Sequence, residues 1–315
     1  MFYGVGMYLL ENMLSMFGYG IKLFFVLADN AVSILDFFST PALFFGHLSL
    51  RYAKSYISGT HFLQGMLIVK SKTALMQIFL IAYLTGILWL RRNPLSLIFS
   101  AISPFSLLFI LFIVSEGKYL PLSITGSLVM ALVGYGLSLG QDISFYKNEY
   151  KIQDVFVASP VSPITYMVGL AISQILFGLP ALLVLISLAT LFLSSAIYIP
   201  LLLVTTFLVW ASMSSMGFFL SSHMLHMRNV SQIISFVNVI LSILPPVFYS
   251  IERLPVLFQY VSYLVPTTHA SLIIQSTMGI ATPKGWSIEF GFLVLVIYLV
   301  GFVFLAKVKA LWRES

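Results

Sequence analysis

The 315-residue chain carries 16 Lys or Arg and 10 Asp or Glu, so charged residues make up 8% of it where a soluble domain carries about 25%. Hydrophobic residues reach 60% and the mean hydropathy is +1.03, too little polar surface for a water-soluble fold; the bilayer is its solvent. Zero cysteines exclude disulfides, thiolate metal sites and cysteine nucleophiles, and the net charge of +6 fits basic cytoplasmic loops, so no nucleic acid is expected as a partner.

Residues 1–74 form an apolar N-terminal extension. Glu11, Ser15, Gly18 and Lys22 recur there at steps of four, three and four, one polar stripe along a helix, and Asp29, Ser33 and Asp36 repeat the pattern. Two readings stay open. One is a hairpin of two additional membrane helices, favoured because residues 1–28 would be about 40 Å long as a helix; the other is a pair of helices lying in the interface. No basic segment precedes the apolar run, which argues against a cleaved signal peptide. Residues 73–90 are 18 uncharged positions with basic residues on both flanks. Both flanks want the cytoplasm, so an interfacial or elbow helix that does not cross is expected.

A crossing takes about 20 apolar residues. The intervals from Arg92 to Glu116, Lys118 to Asp142 and Arg228 to Glu252 each enclose 23 uncharged residues, one span apiece. Asp154 to Arg228 encloses 73, enough for two spans broken near residues 194–200, where small residues and Pro200 interrupt the leucine-rich run. Glu289 to Lys307 encloses 17 and, extended back to Trp286, supplies a sixth. Six crossings place Arg91, Arg92, Lys147, Lys151, Arg228, Lys307, Lys309 and Arg313 on one side, eight basic residues against Lys118, Arg253 and Lys284 on the other. The eight mark the cytoplasm, so a multi-pass protein of the plasma membrane with both ends of its core cytoplasmic is expected.

Residues 254–283 hold no charge yet are punctuated by Pro255, Pro266 and Pro283. Proline breaks helices and leaves backbone groups that must be satisfied at membrane depth, so one or two short helices dipping into the outer leaflet are expected in place of a straight span. Pro245, Pro246, Glu252, Pro255, Val261 and Pro266 are the candidates for an outer gate. In that reading Glu252 and Arg253 sit at the surface while residues 258–264 pack into the bundle.

Enzymatic motifs are missing. Ser71-Lys72-Thr73 lacks the glycines that let a P-loop cradle phosphate, and no His-Glu-x-x-His, Asp-x-x-x-Asp or Gly-x-Ser-x-Gly occurs. No catalytic, cofactor-binding or metal residue is expected. His223 and His226 share a helical face without a third ligand, so they read as histidines near a helix end; His47, His61 and His269 are isolated and read as structural or interfacial. The core spans offer neutral polar groups such as Gln174 and Asn238, which argues against a proton- or sodium-driven relay.

The connection after the second span reads, as a helix, with Lys147, Lys151 and Asp154 on one face and Phe145, Ile152, Val155 and Phe156 on the other, Asp142 or Ser144 being available as N-cap. Glu149 falls inside the apolar stripe, where it is either a docking contact for a soluble partner or a glutamate facing water. With the Ser159-Pro160-Val161-Ser162-Pro163 elbow that follows, this segment resembles the permease subunits of type-2 ABC transporters. In that family an acidic amphipathic helix runs into a small, proline-containing elbow between the second and third spans. Arg91-Arg92-Asn93-Pro94 resembles the family's entry to its first span, and Leu244-Pro245-Pro246 through Thr268 resembles its outer loop. The resemblance covers roughly residues 75 to 310. Residues 1–74 have no counterpart in the minimal family, and Lys147-Asn148-Glu149-Tyr150-Lys151 stands where many members carry a fuller acidic run.

The resemblance implies an all-α integral membrane fold. Residues 75–315 would form a six-transmembrane-helix permease core with a cytoplasmic coupling helix, containing Phe145, Glu149, Ile152, Val155 and Phe156, and with outer re-entrant helices. It further implies two permeases, a second copy or a homologue, around a central path, each docked on a cytoplasmic ABC ATPase supplied by another chain. That partner would bind ATP and Mg²⁺, this chain holding no cofactor, and the coupling helix would transmit its closure to export an apolar or amphiphilic cargo. An integral-membrane enzyme acting on lipids, and a scaffold without transport, are the alternatives.

Overall fold

The computed structural model describes residues 74–93, 95–148, 161–195, 198–224, 226–280, 283 and 285–309. Residues 1–73 of the N-terminal extension and residues 149–160 of the coupling segment lie outside them. All regular structure among the described residues is helical. The expected elbow is a helix, α1 (Ala74–Ala82), that passes through a π-helical turn at Tyr83–Ile87 into α2 (Leu88–Arg92). In that turn the Thr85 hydroxyl donates to the Ile81 carbonyl at 2.8 Å, a side-chain bond that competes with the backbone ladder where the helix widens.

Three long helices follow where the charge-free intervals place them: α3 (Leu95–Val114), α4 (Leu120–Asn148) and α5 (Pro163–Leu191). Between α3 and α4 the chain reverses through left-handed backbone at Glu116 and Gly117 (φ 51° and 77°). The start of α5 follows the capping rules: Ser162 is the N-cap, its hydroxyl accepts from the Thr165 amide at 3.1 Å, and Pro163 occupies the first turn, where no amide is needed. The expected break after α5 is present, and α6 (Ile199–Ser222) opens with Pro200 in its first turn. After α6 come α7 (Met227–Ser242), two short helices α8 (Val256–Ser262) and α9 (Pro266–Thr277), and α10 (Ile288–Lys309).

Among the described residues five helices, α3, α4, α5, α6 and α10, are long and apolar enough to cross a membrane. The interval from Arg228 to Glu252 differs from its expectation. Its helix, α7, has 16 residues, about 24 Å, and stops ahead of Pro245 and Pro246, because neither proline can donate to the helix ladder. The remainder folds back over the beginning of α4, where the Phe248 ring fills the space left by Gly126; a methyl group there would stand 2.0 Å from the ring.

A second difference concerns the end of α4. Asp142 and Ser144 are not N-caps of a new helix; they lie inside α4, which runs on to Asn148. No glycine or proline occurs between Gly140 and Pro160 to stop it, and the Asn148 side-chain amide donates back to the Ser144 carbonyl at 2.9 Å.

The core is centred on α4, whose buried positions include Leu128, Leu132, Leu137 and Leu139. Small residues set its closest approaches. Gly136 and Gly140 lie against Met213, Ser214 and Gly217 of α6, and on the other side of α5 Gly169 takes the Ile81 side chain of α1. Phe99 and Ile110 on α3 and Leu293, Ile297, Val300 and Phe304 on α10 are exposed apolar side chains, a composition suited to acyl chains.

Candidate functional site

Two regions at opposite ends of the bundle carry the predicted site residues. At the Asn148 end, Phe145 is half-buried on the last turns of α4. Glu149, Ile152, Val155 and Phe156 lie outside the described residues. Just before Phe145 the structure brings together a polar set that crosses between helices. Gln174 on α5 donates its amide N–H to the Asp142 carboxylate, and its carbonyl Oε1 accepts from the Ser138 hydroxyl at 2.8 Å. One turn along, the Tyr135 ring covers Gly178 of α5, where an added methyl would be 2.3 Å from it. The Tyr135 hydroxyl donates to the Ser100 carbonyl of α3 at 3.1 Å, and the Ser100 hydroxyl reaches the Phe177 carbonyl at 3.2 Å. Asp142, at the margin of the second charge-free interval, does not end the helix: α4 continues six residues past it to Asn148.

At the Leu120 end, Pro245 and Pro246 are buried, with Val247 beside them. The Ser271 hydroxyl donates to the Pro246 carbonyl at 3.0 Å and ties this loop to α9. Pro266 is buried and opens α9, a helix whose side chains are almost all enclosed. Glu252, Pro255 and Val261 are exposed. Arg253 is exposed too and holds the loop to the start of α4: it donates to the Tyr119 hydroxyl at 2.9 Å and its guanidinium stands 5.0 Å from the Tyr119 ring centre.

The expectation that residues 258–264 pack into the bundle is not met within the chain. Phe258, Tyr260, Val261 and Leu264 are exposed, and α8 turns Ser262 inward. Apolar side chains in a membrane protein face outward as readily as inward, so hydrophobicity alone did not choose the buried helix. The chain buries α9 instead, with its Thr267, Thr268, Ser271 and Gln275.

His269 is the hub of this end. It is fully buried; its Nε2–H donates to the Tyr263 carbonyl at 2.9 Å, and the Trp286 indole N–H donates to its Nδ1 at 3.3 Å. The Tyr263 and Phe290 rings pack against it at 5.9 and 5.4 Å. Burial holds the His269 pKa below its ordinary value, the bond to the Tyr263 carbonyl opposing the shift. Burial, and then the Glu252 carboxylate, push the Tyr263 hydroxyl upward. His223 is the C-cap residue of α6 and His226 the N-cap residue of α7. His269 is structural, as its isolation in the sequence suggests, and Asp142 is no N-cap; neither one's partners could be read from the sequence, because each finds them on another element.

One further surface stands out. On α7, Val230 and Ile234 are buried, while Arg228, Gln232 and Ser235 are exposed on the opposite side together with Phe236 and Val239, continued by the half-buried Ser231 and Asn238. This is a polar stripe along a helix of a largely apolar bundle.

Five apolar helices around a packed centre make this a multi-pass helical membrane protein. A family model for the ABC-2 type transporter matches residues 76–278, well over half of the chain, and the chain belongs to that family of membrane-embedded transporter components. The match runs from α1 to the end of α9. No curated protein matches the chain.

Proposed function

We propose that the chain is the membrane-spanning permease subunit of an ATP-driven exporter, working as a pair with a second copy or a homologue, with ATP and Mg²⁺ bound by a separate cytoplasmic ABC ATPase. In this reading α7 supplies the sixth crossing, and the cargo is amphiphilic, moved outward. The polar stripe on α7 carries it. Acyl chains cannot satisfy Gln232, Ser235 and Arg228, so a helix that turns them away from its own core needs a polar path or a second subunit opposite. The family match supports the same reading and gives no support to a lipid-modifying enzyme.

The mechanism divides among three parts. Residues 143–157, with Phe145, Glu149, Ile152, Val155 and Phe156, receive the closure of the ATPase. The unbroken α4 carries the displacement across the bundle. At the far end Pro245, Pro246, Glu252, Pro255, Val261 and Pro266 belong to the element that opens the exit, with α9 and the buried prolines forming its seat and the exposed Val261 face meeting the opposing subunit.

Purification from detergent-solubilised membranes tests the energy source. An ABC ATPase should co-elute, and Glu149→Lys or Phe156→Asp should lower the ATP hydrolysis of the complex about tenfold while the permease stays inserted, a loss of order 1.4 kcal/mol in coupling. Unaltered hydrolysis in both variants would remove the coupling role from this segment. A chain that purifies alone, with no ATPase bound, would overturn the permease reading.

Orientation is tested on the same cysteine-free background. Cysteines placed at Lys147, Arg228 and Lys309 should resist an impermeant thiol reagent in intact cells, and those at Lys118 and Lys284 should react. The opposite pattern would invert the topology.

A further inference from the structure

The acid near the end of α4 calls for an explanation, because its carboxylate is partnered by a side chain of another helix and not by solvent alone. Gln174, that partner, stands 11 residues from the first residue of α5, and Asp142 lies six residues, about 9 Å, before the end of α4, so the contact ties the two helices near the end joined by the segment 149–160. Its two polar groups are both spent on α4. The N–H donates to Asp142, and Oε1 accepts from Ser138 at 2.8 Å, the Tyr135 carbonyl being the alternative acceptor for that hydroxyl at 2.9 Å. Ser138 and Asp142 are four residues apart, so one side chain brackets a full turn of the neighbouring helix. The Tyr135 ring seated over Gly178 keys the same seam one turn further along, and Tyr135 and Ser100 extend the ties to α3.

A bracket of this kind resists sliding. To the steric key of Tyr135 on Gly178 the bracket adds directional bonds: a shift of one residue would break both bonds of Gln174. The placement is informative as well: α4 and α5 are the two helices joined by the segment in which residues 149–160 lie, so a push on that segment reaches both from the same end.

We propose that Gln174, clasping Ser138 and Asp142, is a positioning joint that makes α4 and α5 move as one body when the segment between them is displaced. The inference rests on the permease reading and adds to it the residues that keep the stroke from dissipating as shear between the two helices. Asp142 and Gln174 act through the helices they lock and need touch neither nucleotide nor cargo.

The experiment uses the full chain with its co-purified ATPase in lipid nanodiscs, and two spin-label pairs read by pulsed dipolar spectroscopy. One pair, at Lys118 and Leu191, reports α4 against α5; the other, at Leu191 and Leu293, reports α5 against α10, and all three positions are exposed. A non-hydrolysable ATP analogue with Mg²⁺ is the probe. In the wild type the second distance should change and the first should not. The double variant Asp142→Leu/Gln174→Leu removes both polar groups together, leaving no charge or amide buried without a partner, so insertion and folding are preserved. It should lose most of the change between α5 and α10 and gain one between α4 and α5. Asp142→Asn keeps an oxygen that accepts from Gln174 and should behave as the wild type. A double variant that matches the wild type in both distances would overturn the joint and leave the permease reading standing. An Asp142→Asn protein as defective as the double variant would overturn the clasp as the cause. No nucleotide-driven change in the wild type would overturn the permease reading, and this inference with it.

Discussion

Gly140→Val is expected to leave little folded protein in the membrane. A β-carbon at Gly140 would stand 2.5 Å from the Gly217 carbonyl oxygen and 2.5 Å from the Ile234 Cδ1 atom. The isoleucine tip can swing aside; the α6 backbone cannot. The approach is mutual, since a β-carbon at Gly217 would lie 2.9 Å from the Leu137 carbonyl, and one at Gly136 would lie 2.5 Å from the Met213 Cβ. Three glycines therefore hold α4 and α6 at backbone contact, the packing mode on which membrane helices depend where the hydrophobic effect gives no drive to associate. Overpacking costs about 1–3 kcal/mol where side chains can adjust, and valine here must displace a helix, so a loss of about 3 kcal/mol or more is expected. Thermal unfolding of detergent-purified protein checks it: Gly140→Val should give a sharply lower midpoint and aggregated material, with Gly140→Ala between it and the wild type. Gly134 is the control, because nothing lies within 4 Å of its added methyl. There alanine should be neutral or stabilising by about 0.5–1 kcal/mol through helix propensity. A Gly140→Val protein with the midpoint of the wild type would mean that the two helices do not approach so closely.

What was legible in the sequence is what a bilayer enforces. Charges and prolines cannot be placed freely along a membrane helix, so charge-free intervals located α3, α4, α5, α6 and α10, and the Ser-Pro elbow marked the start of α5. Where the reading failed, the constraint was tertiary. Asp142 bounds a charge-free interval but does not end the helix: a glutamine on another helix gives it a partner and α4 runs on to Asn148. The interval from Arg228 to Glu252 is not one continuous helix: α7 fills its first part, and the rest folds back so that Phe248 finds its seat on Gly126. For α8 and α9, hydropathy pointed to the wrong member of the pair. The more apolar α8 lies exposed, whereas α9 is buried and tied to neighbouring segments: Ser271 donates to the Pro246 carbonyl at 3.0 Å as well as to Thr268 at 2.9 Å, and Thr277 returns its hydroxyl to Ile274 at 2.7 Å. Only contacts between distant segments decide such cases, and a charge census contains none of them.

The second large effect is expected at His269, where charge state and structure are linked. An indole N–H can only donate, so the bond from Trp286 requires an unprotonated Nδ1, and the bond to the Tyr263 carbonyl places the single ring proton on Nε2. The folded protein thus holds one neutral tautomer, and protonating Nδ1 would break the tie to Trp286 and place a cation among Tyr263, Phe290 and buried helix. Below about pH 6.5 an unfolded histidine takes up a proton while the buried one, with its lowered pKa, resists it. The unfolded state then binds more protons, so stability falls as pH drops through this window and is level above it. His269→Leu removes the titrating ring but leaves the Trp286 N–H without an acceptor, at a cost of about 1–3 kcal/mol. Unfolding midpoints from pH 8 to pH 5 should therefore start lower in the variant and decline less steeply than in the wild type. His223 and His226 are exposed, and both proteins share them, so the difference between the two curves isolates residue 269. Parallel curves would show that His269 does not titrate with unfolding and would assign the acid sensitivity elsewhere. Wild-type stability retained in the variant at pH 8 would show that Trp286, α9 and the start of α10 are held together without it.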